Sequence, residues 1–167
     1  MKFLSFAIYT ILTLMAHPVV AKSLEGQWQV KGSDAIVGLS TNPQMPGNSK
    51  NIFLIVKYSS DFNCKPVISL LVMTGTKLGT PTKQKTSKSR KNQLVVGVGP
   101  KEHTNETKMT EYTNGIELAM LGTRELIDSL SDNNQRIYAR VGELELVSFS
   151  RVANFNSASR QAKANCY

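Results

Sequence analysis

Cysteine and histidine occur only twice each in these 167 residues, tryptophan once, and acidic residues number 12 against 20 Lys and Arg. A zinc-type site needs several Cys, His or carboxylate ligands brought together. With the two cysteines spoken for by a possible bridge and one histidine near the start, no metal ligand set is expected, and no cofactor. The chain has no glycine-rich phosphate cradle ending in Lys-Ser/Thr and no nucleophile elbow. The common routes to phosphoryl and acyl transfer therefore find no support, and no catalytic residues are assigned. Paired carboxylates assembled only by folding would leave no trace at this level.

What is present at the start is a leader. Lys2 precedes an apolar run over residues 3–15, the length of a signal h-region and shorter than the ~20 residues of a bilayer span. Pro18 breaks the run ahead of Val19, Val20 and Ala21, whose modest side chains suit signal peptidase, so residues 1–21 are expected to be cleaved. No Cys stands at that point to carry a lipid, and no later apolar run is long enough to cross a membrane. Cleavage removes Lys2 alone, leaving 19 basic and 12 acidic residues and a formal charge of +7. That sign favours anionic partners and salt-dependent encounter.

Residues 22–167 have the length of one domain with a real core. An even pair of cysteines in an exported chain points to a Cys64–Cys166 disulfide, with two free thiols or a bridge between chains as the other arrangements.

Period-two alternation dominates the rest. Trp28 and Val30 alternate with Gln27, Gln29 and Lys31, and residues 36–39 resume the pattern after a Gly-Ser-Asp turn, which reads as a hairpin. Residues 42–49, with two Pro and one Gly, read as loop. The β-branched runs at 52–58 and 66–73 read as central strands, and 93–99 as another strand ended by Pro100. Asn114-Gly115 between two alternating runs predicts a hairpin with a type I′ turn. Thr123 caps a short helix whose apolar stripe is Leu126, Ile127 and Leu130. Ile137, Ala139 and Val141 begin a last hairpin that turns at Gly142-Glu143, and residues 156–166 read as a terminal helix. The expected fold is mainly β, antiparallel and β-sandwich-like, with two short helices, the second at the C-terminus.

Residues 76–92 contain Lys77, Lys83, Lys85, Lys88, Arg90 and Lys91 and no acidic residue. They read as a solvated loop or long hairpin tip that could contact an anionic surface. The sharper binding candidate is the alternating face Arg136, Tyr138 and Arg140, because guanidinium groups grip carboxylates or phosphates in pairs and a ring can stack beside them. The candidate binding residues are thus Arg136, Tyr138 and Arg140 together with Lys83, Lys85, Lys88, Arg90 and Lys91. His103 lies in a polar stretch, residues 101–106, and reads as a solvated loop histidine; a general-base role is the minority reading. Asn105-Glu106-Thr107 matches a glycosylation acceptor, read here as polar loop.

The order of features resembles the periplasmic VasI/TagO-type accessory proteins of bacterial type VI secretion systems. The points of likeness are Trp28-Gln29-Val30, then Ser33-Asp34 and Val37-Gly38-Leu39, then Cys64 leading into 67–72 and Lys77-Leu78-Gly79. Farther on come residues 124–130, the strand 136–141, and Ser148-Phe149 running into a helix that ends at Cys166. The chain departs from that pattern in its single Trp, in lacking an Arg-x-Asp element after the middle, and in its basic stretch. Small exported proteins of the invasion-associated locus B type offer an overlapping likeness. The resemblance implies a periplasmic or secreted, non-enzymatic accessory or binding protein whose partner is an envelope or secretion-system protein or an anionic envelope polymer. Nucleic acid is disfavoured by the leader. An inhibitor or immunity protein against a cell-wall-targeting enzyme or effector is the second reading, and a small exported hydrolase the third.

Overall fold

A computed structural model of the protein describes residues 24–41, 50–75, 77–87, 93–132 and 134–167. The expected leader and the loop expected at 42–49 lie outside the described residues. Among the described residues the chain forms twelve strands and two α-helices. In chain order the first six strands are β1 (Leu24–Gln27), β2 (Gln29–Lys31), β3 (Asp34–Thr41), β4 (Lys50–Ser59), β5 (Lys65–Thr74) and β6 (Pro81–Ser87). Next come β7 (Leu94–Val98), β8 (Lys101–Thr104), β9 (Thr107–Tyr112), β10 (Gly115–Leu121) and helix α1 (Arg124–Leu130). Strands β11 (Ile137–Val141) and β12 (Leu144–Ala153) precede helix α2 (Phe155–Ala164).

The strands form two sheets, one of five in the order β1-β12-β11-β7-β8 and one of seven in the order β2-β3-β4-β5-β10-β9-β6. Every pairing is antiparallel except that of β1 with β12. The chain is mainly antiparallel β in two sheets, with two short helices and a Cys64–Cys166 disulfide whose Cα atoms stand 6.0 Å apart.

Alternation explains the core. On β4, Ile52, Leu54, Val56 and Tyr58 are buried. The register sets Leu54, Leu70 and Leu118 in one row across β4, β5 and β10, and Val56, Ile68 and Met120 in the next. The smaller sheet contributes Val96, Val98, Ile137, Ala139, Val147 and Phe149 to the same cluster. Each buried Val, Leu, Ile, Met or Phe side chain among them contributes about 1.5–3 kcal/mol. Helix α1 starts where expected: Thr123 accepts from the Leu126 amide at 3.2 Å, and Leu126 and Leu130 are buried.

Helix α2 packs against β2, β3 and β4. Its buried face is Phe155, Ala158, Ser159 and Ala162, the last three small enough to let the helix approach closely. The Phe155 ring meets Trp28 edge-on at 4.9 Å, and the Ser159 hydroxyl hydrogen-bonds Tyr58 in the interior. The disulfide then ties the chain end to the β4–β5 connection. There a single 3-10 turn over Ser60–Phe62 and two consecutive left-handed residues, Asn63 and Cys64, turn the chain into β5.

Four local expectations are corrected. The first strand is two: the chain leaves the five-stranded sheet and enters the seven-stranded one across Trp28, whose amide donates to Ala153 at 3.1 Å. The β9–β10 hairpin forms, but Tyr112 pairs directly with Gly115, so Thr113 and Asn114 are its central residues, and neither Asn114 nor Gly115 has positive φ. Tertiary bonding decides this, because the Asn114 amide donates to the carbonyls of Thr74 and Lys77 at 2.8 Å each and accepts from Gly79 at 2.7 Å. Gly115 serves close approach instead: a Cβ there would sit 2.6 Å from the Val72 carbonyl oxygen. Within 76–92, residues 81–87 are not loop but the edge strand β6, whose Lys and Thr content suits a solvated sheet edge. Residues 101–104 are likewise the edge strand β8 rather than loop.

Candidate functional site

The outward face of the five-stranded sheet carries Arg136, Tyr138 and Arg140 together, as the alternation predicts. Their bonding partners come from the same sheet. Arg136 grips both carboxylate oxygens of Glu145 at 2.6 and 2.7 Å, bonds Ser148 at 2.8 Å, and lies 4.9 Å from the centre of the Tyr138 ring. Arg140 grips Glu102 at 3.1 and 2.8 Å and also donates to the Gly142 carbonyl, while the Tyr138 hydroxyl donates to Glu102 at 2.6 Å. The Arg140 and Tyr138 hydrogen bonds hold the Glu102 carboxyl below its ordinary range, and the bond to Glu102 pushes the Tyr138 phenol up. Arg140 is filled by Glu102 and the Gly142 carbonyl, and Arg136 is committed through Nη2 to Glu145 and through Nε to the Ser148 hydroxyl. An incoming anion would have to displace these partners to use those nitrogens.

The other cationic candidates lie elsewhere. Lys83 and Lys85 are exposed on β6, at the far edge of the larger sheet, with Lys83 directly opposite Glu111. Lys88, Arg90 and Lys91 lie outside the described residues. The structure does not bring β6 and the Arg136–Arg140 face into one sheet.

A different surface forms a groove. The residues of the seven-stranded sheet that point away from the core line a cavity of about 680 Å³ spanning β4, β5, β10, β9 and β6. Register explains its construction. Ser69 and Ala119 stand opposite each other on β5 and β10, giving a floor of small side chains, and Lys108 and Thr86 continue that row across β9 and β6. The adjacent row runs from Glu117 through Thr110 to Gln84. Glu117 accepts from the Tyr112 hydroxyl at 3.0 Å. Burial, with the charge and hydrogen bond of Glu117 behind it, pushes the Tyr112 phenol up to about 12, so that phenol stays a donor.

At the floor, Ser69 is 2% exposed and its hydroxyl has no hydrogen-bond partner. A buried hydroxyl left unpaired costs about 1–3 kcal/mol. At the β3 side of the same face Asp34 stands opposite Lys57, with one carboxylate oxygen enclosed and unpaired. Burial raises its pKa, Lys57 opposes the rise, and the charge of Glu117 adds to it. Phe62, half exposed, stands at the rim. The signal for this groove in the sequence is the outward half of the β10 alternation, Glu117 and Ala119, which by itself indicates only a hairpin.

His103 is not a solvated loop residue. It sits on β8 opposite Val96, on the core-facing side, with Nε2 enclosed and without a partner. Burial lowers its pKa from the ordinary 6.5, Glu125 partly opposes this, and Lys101 adds to the lowering. A general base needs its accepting nitrogen open to substrate, and Nε2 is covered. Thr107 of the glycosylation-like triplet is fully buried, its hydroxyl accepting from the Leu94 amide at 2.9 Å.

No family model matches this chain, and neither the curated proteins nor the solved structures contain a significant match.

Proposed function

We propose that the chain is an exported, non-enzymatic accessory or binding protein of the bacterial envelope, and that it holds its partner in the groove of the seven-stranded sheet. The observation that carries this reading is the groove itself. It is of a size suited to a ligand fragment, and its floor holds a buried hydroxyl that nothing in the described chain satisfies. The address rests on the leader pattern of residues 1–21 and on the disulfide, a bond that persists in oxidising compartments. The likeness to VasI/TagO-type proteins extends the proposal to a periplasmic site beside a secretion system.

The bonds already made by Arg136 and Arg140 favour the groove over that face as the contact surface. The test is photo-crosslinking in an expressing bacterial cell, with the reactive residue placed at Gln84 in the groove or at Ser148 on the opposite sheet. A discrete adduct with an envelope component from Gln84 and none from Ser148 is the expected result. Equal labelling from both positions, or none from Gln84, overturns the groove. Recovery of the chain in the cytoplasm with residues 1–21 attached overturns the address.

A further inference from the structure

We infer that the groove ligand is a carbohydrate chain without net charge, recognised through its hydroxyl and amide groups; the inference rests on the binding reading above and names its ligand class. The protein as a whole is basic, with a formal charge of +8. The groove is not. Its ionisable lining is Lys57 and Lys108 against Asp61, Glu106 and Glu117, so it lacks the positive excess that a polyanion selects.

The position of the groove excludes another common ligand mode. It lies on a sheet face, where β4, β5, β10 and β9 each pair with a strand on both sides, and the one free edge among the groove strands, that of β6, is on the side of β6 away from β9. Their backbone donors and acceptors are spent in those ladders, so an extended peptide laid here gains none of the main-chain bonds that drive strand addition. Recognition falls to side chains, and those open to the groove are rich in hydrogen-bonding groups: Glu117, Tyr112, Gln84, Thr86 and Lys108. A ligand dense in hydroxyls matches that inventory.

Two groups fix the polarity of the contact. Glu117 is oriented by the Tyr112 hydroxyl on one oxygen, and a carboxylate has acceptor sites to spare for ligand donors. The Ser69 hydroxyl, enclosed and unpaired, lies just beneath the groove surface and meets a ligand only where the side chains above it move aside. Its neighbour across the floor, Ala119, has only a methyl group and keeps the groove floor low on the β10 side. The half-exposed Phe62 supplies an apolar surface at the rim for the C–H face of a sugar.

The experiment is a calorimetric or NMR titration of the full secreted chain, disulfide intact, with two probes: an uncharged tetramer of N-acetylglucosamine, and dextran sulfate. Saturable binding of the tetramer is expected, weakened at least tenfold by Glu117→Gln and abolished by Ala119→Trp, with Arg124→Gln on α1 as the unaffected control. Ser69→Ala, which removes an unpaired buried hydroxyl, is expected to raise the Tm. Should Ala119→Trp fail to fold, Glu117→Gln decides the matter. No saturable binding of the tetramer, binding indifferent to Glu117→Gln, or a preference for dextran sulfate overturns the inference. If the Gln84 adduct persists in any of those cases, the ligand class has failed and the binding reading stands; loss of both removes the two together.

Discussion

The ring of Tyr138 on β11 lies across the bare Cα of Gly97 on β7, so close that a methyl group added to the glycine would stand 2.1 Å from two ring carbons. The contact lets one side chain bridge three strands, because the hydroxyl beyond it reaches Glu102 on β8. Gly97 therefore needs its small size, not an unusual backbone, and Gly97→Ala must expel the ring. The expected cost is about 1–3 kcal/mol of stability from overpacking, read as a lower urea midpoint. Tyr138→Ala removes the obstacle, so the double variant should be less destabilised than the two single losses added together. Simple additivity would count against the proposed clash.

A second prediction concerns acid. His103 binds its proton less readily folded than unfolded, because its enclosed position disfavours the cation. Its contribution is fully present above the unfolded value near 6.5, and is lost as pH falls through the window from there down to the folded pKa. One proton gives a slope of at most about 1.4 kcal/mol per pH unit, and less here because part of the ring is exposed. Asp34 acts in the opposite sense. With its carboxyl raised in the fold, its contribution is whole below the ordinary 3.8 and declines as pH rises through the folded value. Measuring stability from pH 7 to 5 in His103→Gln separates the two, and the expected result is a flatter profile than that of the parent chain. An unchanged slope would show that His103 is not the group responsible.

How much of this was visible before the structure follows from where the determining contacts lie. Signals local in the chain were legible: the alternation on β4 and β11, the Thr123 cap, the Gly142 turn and the small-residue face of α2 are each set by residues a few positions apart. The turn at Thr113-Asn114 was misplaced because its choice depends on Thr74, Lys77 and Gly79, which are distant in sequence. Edge strands β6 and β8 resemble loop in the sequence because an edge in water needs little apolar content. The groove was illegible for a related reason. Its floor takes one residue from each of several strands, and only the register of β5, β10, β9 and β6 puts Ser69, Ala119, Lys108 and Thr86 in line. The bonding of Arg136 and Arg140 likewise depends on pairing, since Glu102 is 38 residues from Arg140.

The last prediction concerns the disulfide and the helix that it anchors. Cys64 and Cys166 close a separation of 102 residues, for which the chain-entropy account gives about 4.7 kcal/mol, and losses of about 2–5 kcal/mol are usual when such a bond is removed from a small secreted domain. Reduction, or Cys64→Ala with Cys166→Ala, should lower the denaturation midpoint by that order. The loss should not fall evenly on α2. Its first turn is also held by Phe155 against Trp28, and its middle by Ser159 bonded to Tyr58, whereas the turn beyond Ala162 is tied by the disulfide and one exposed hydrogen bond, from Asn165 to the Gly32 carbonyl at 2.8 Å. Hydrogen exchange in the reduced protein should therefore quicken first over residues 162–167 and later over 155–159. Uniform loss of protection along the helix would instead mean that α2 docks as one unit, with the covalent bond setting the stability of the whole contact rather than of its last turn.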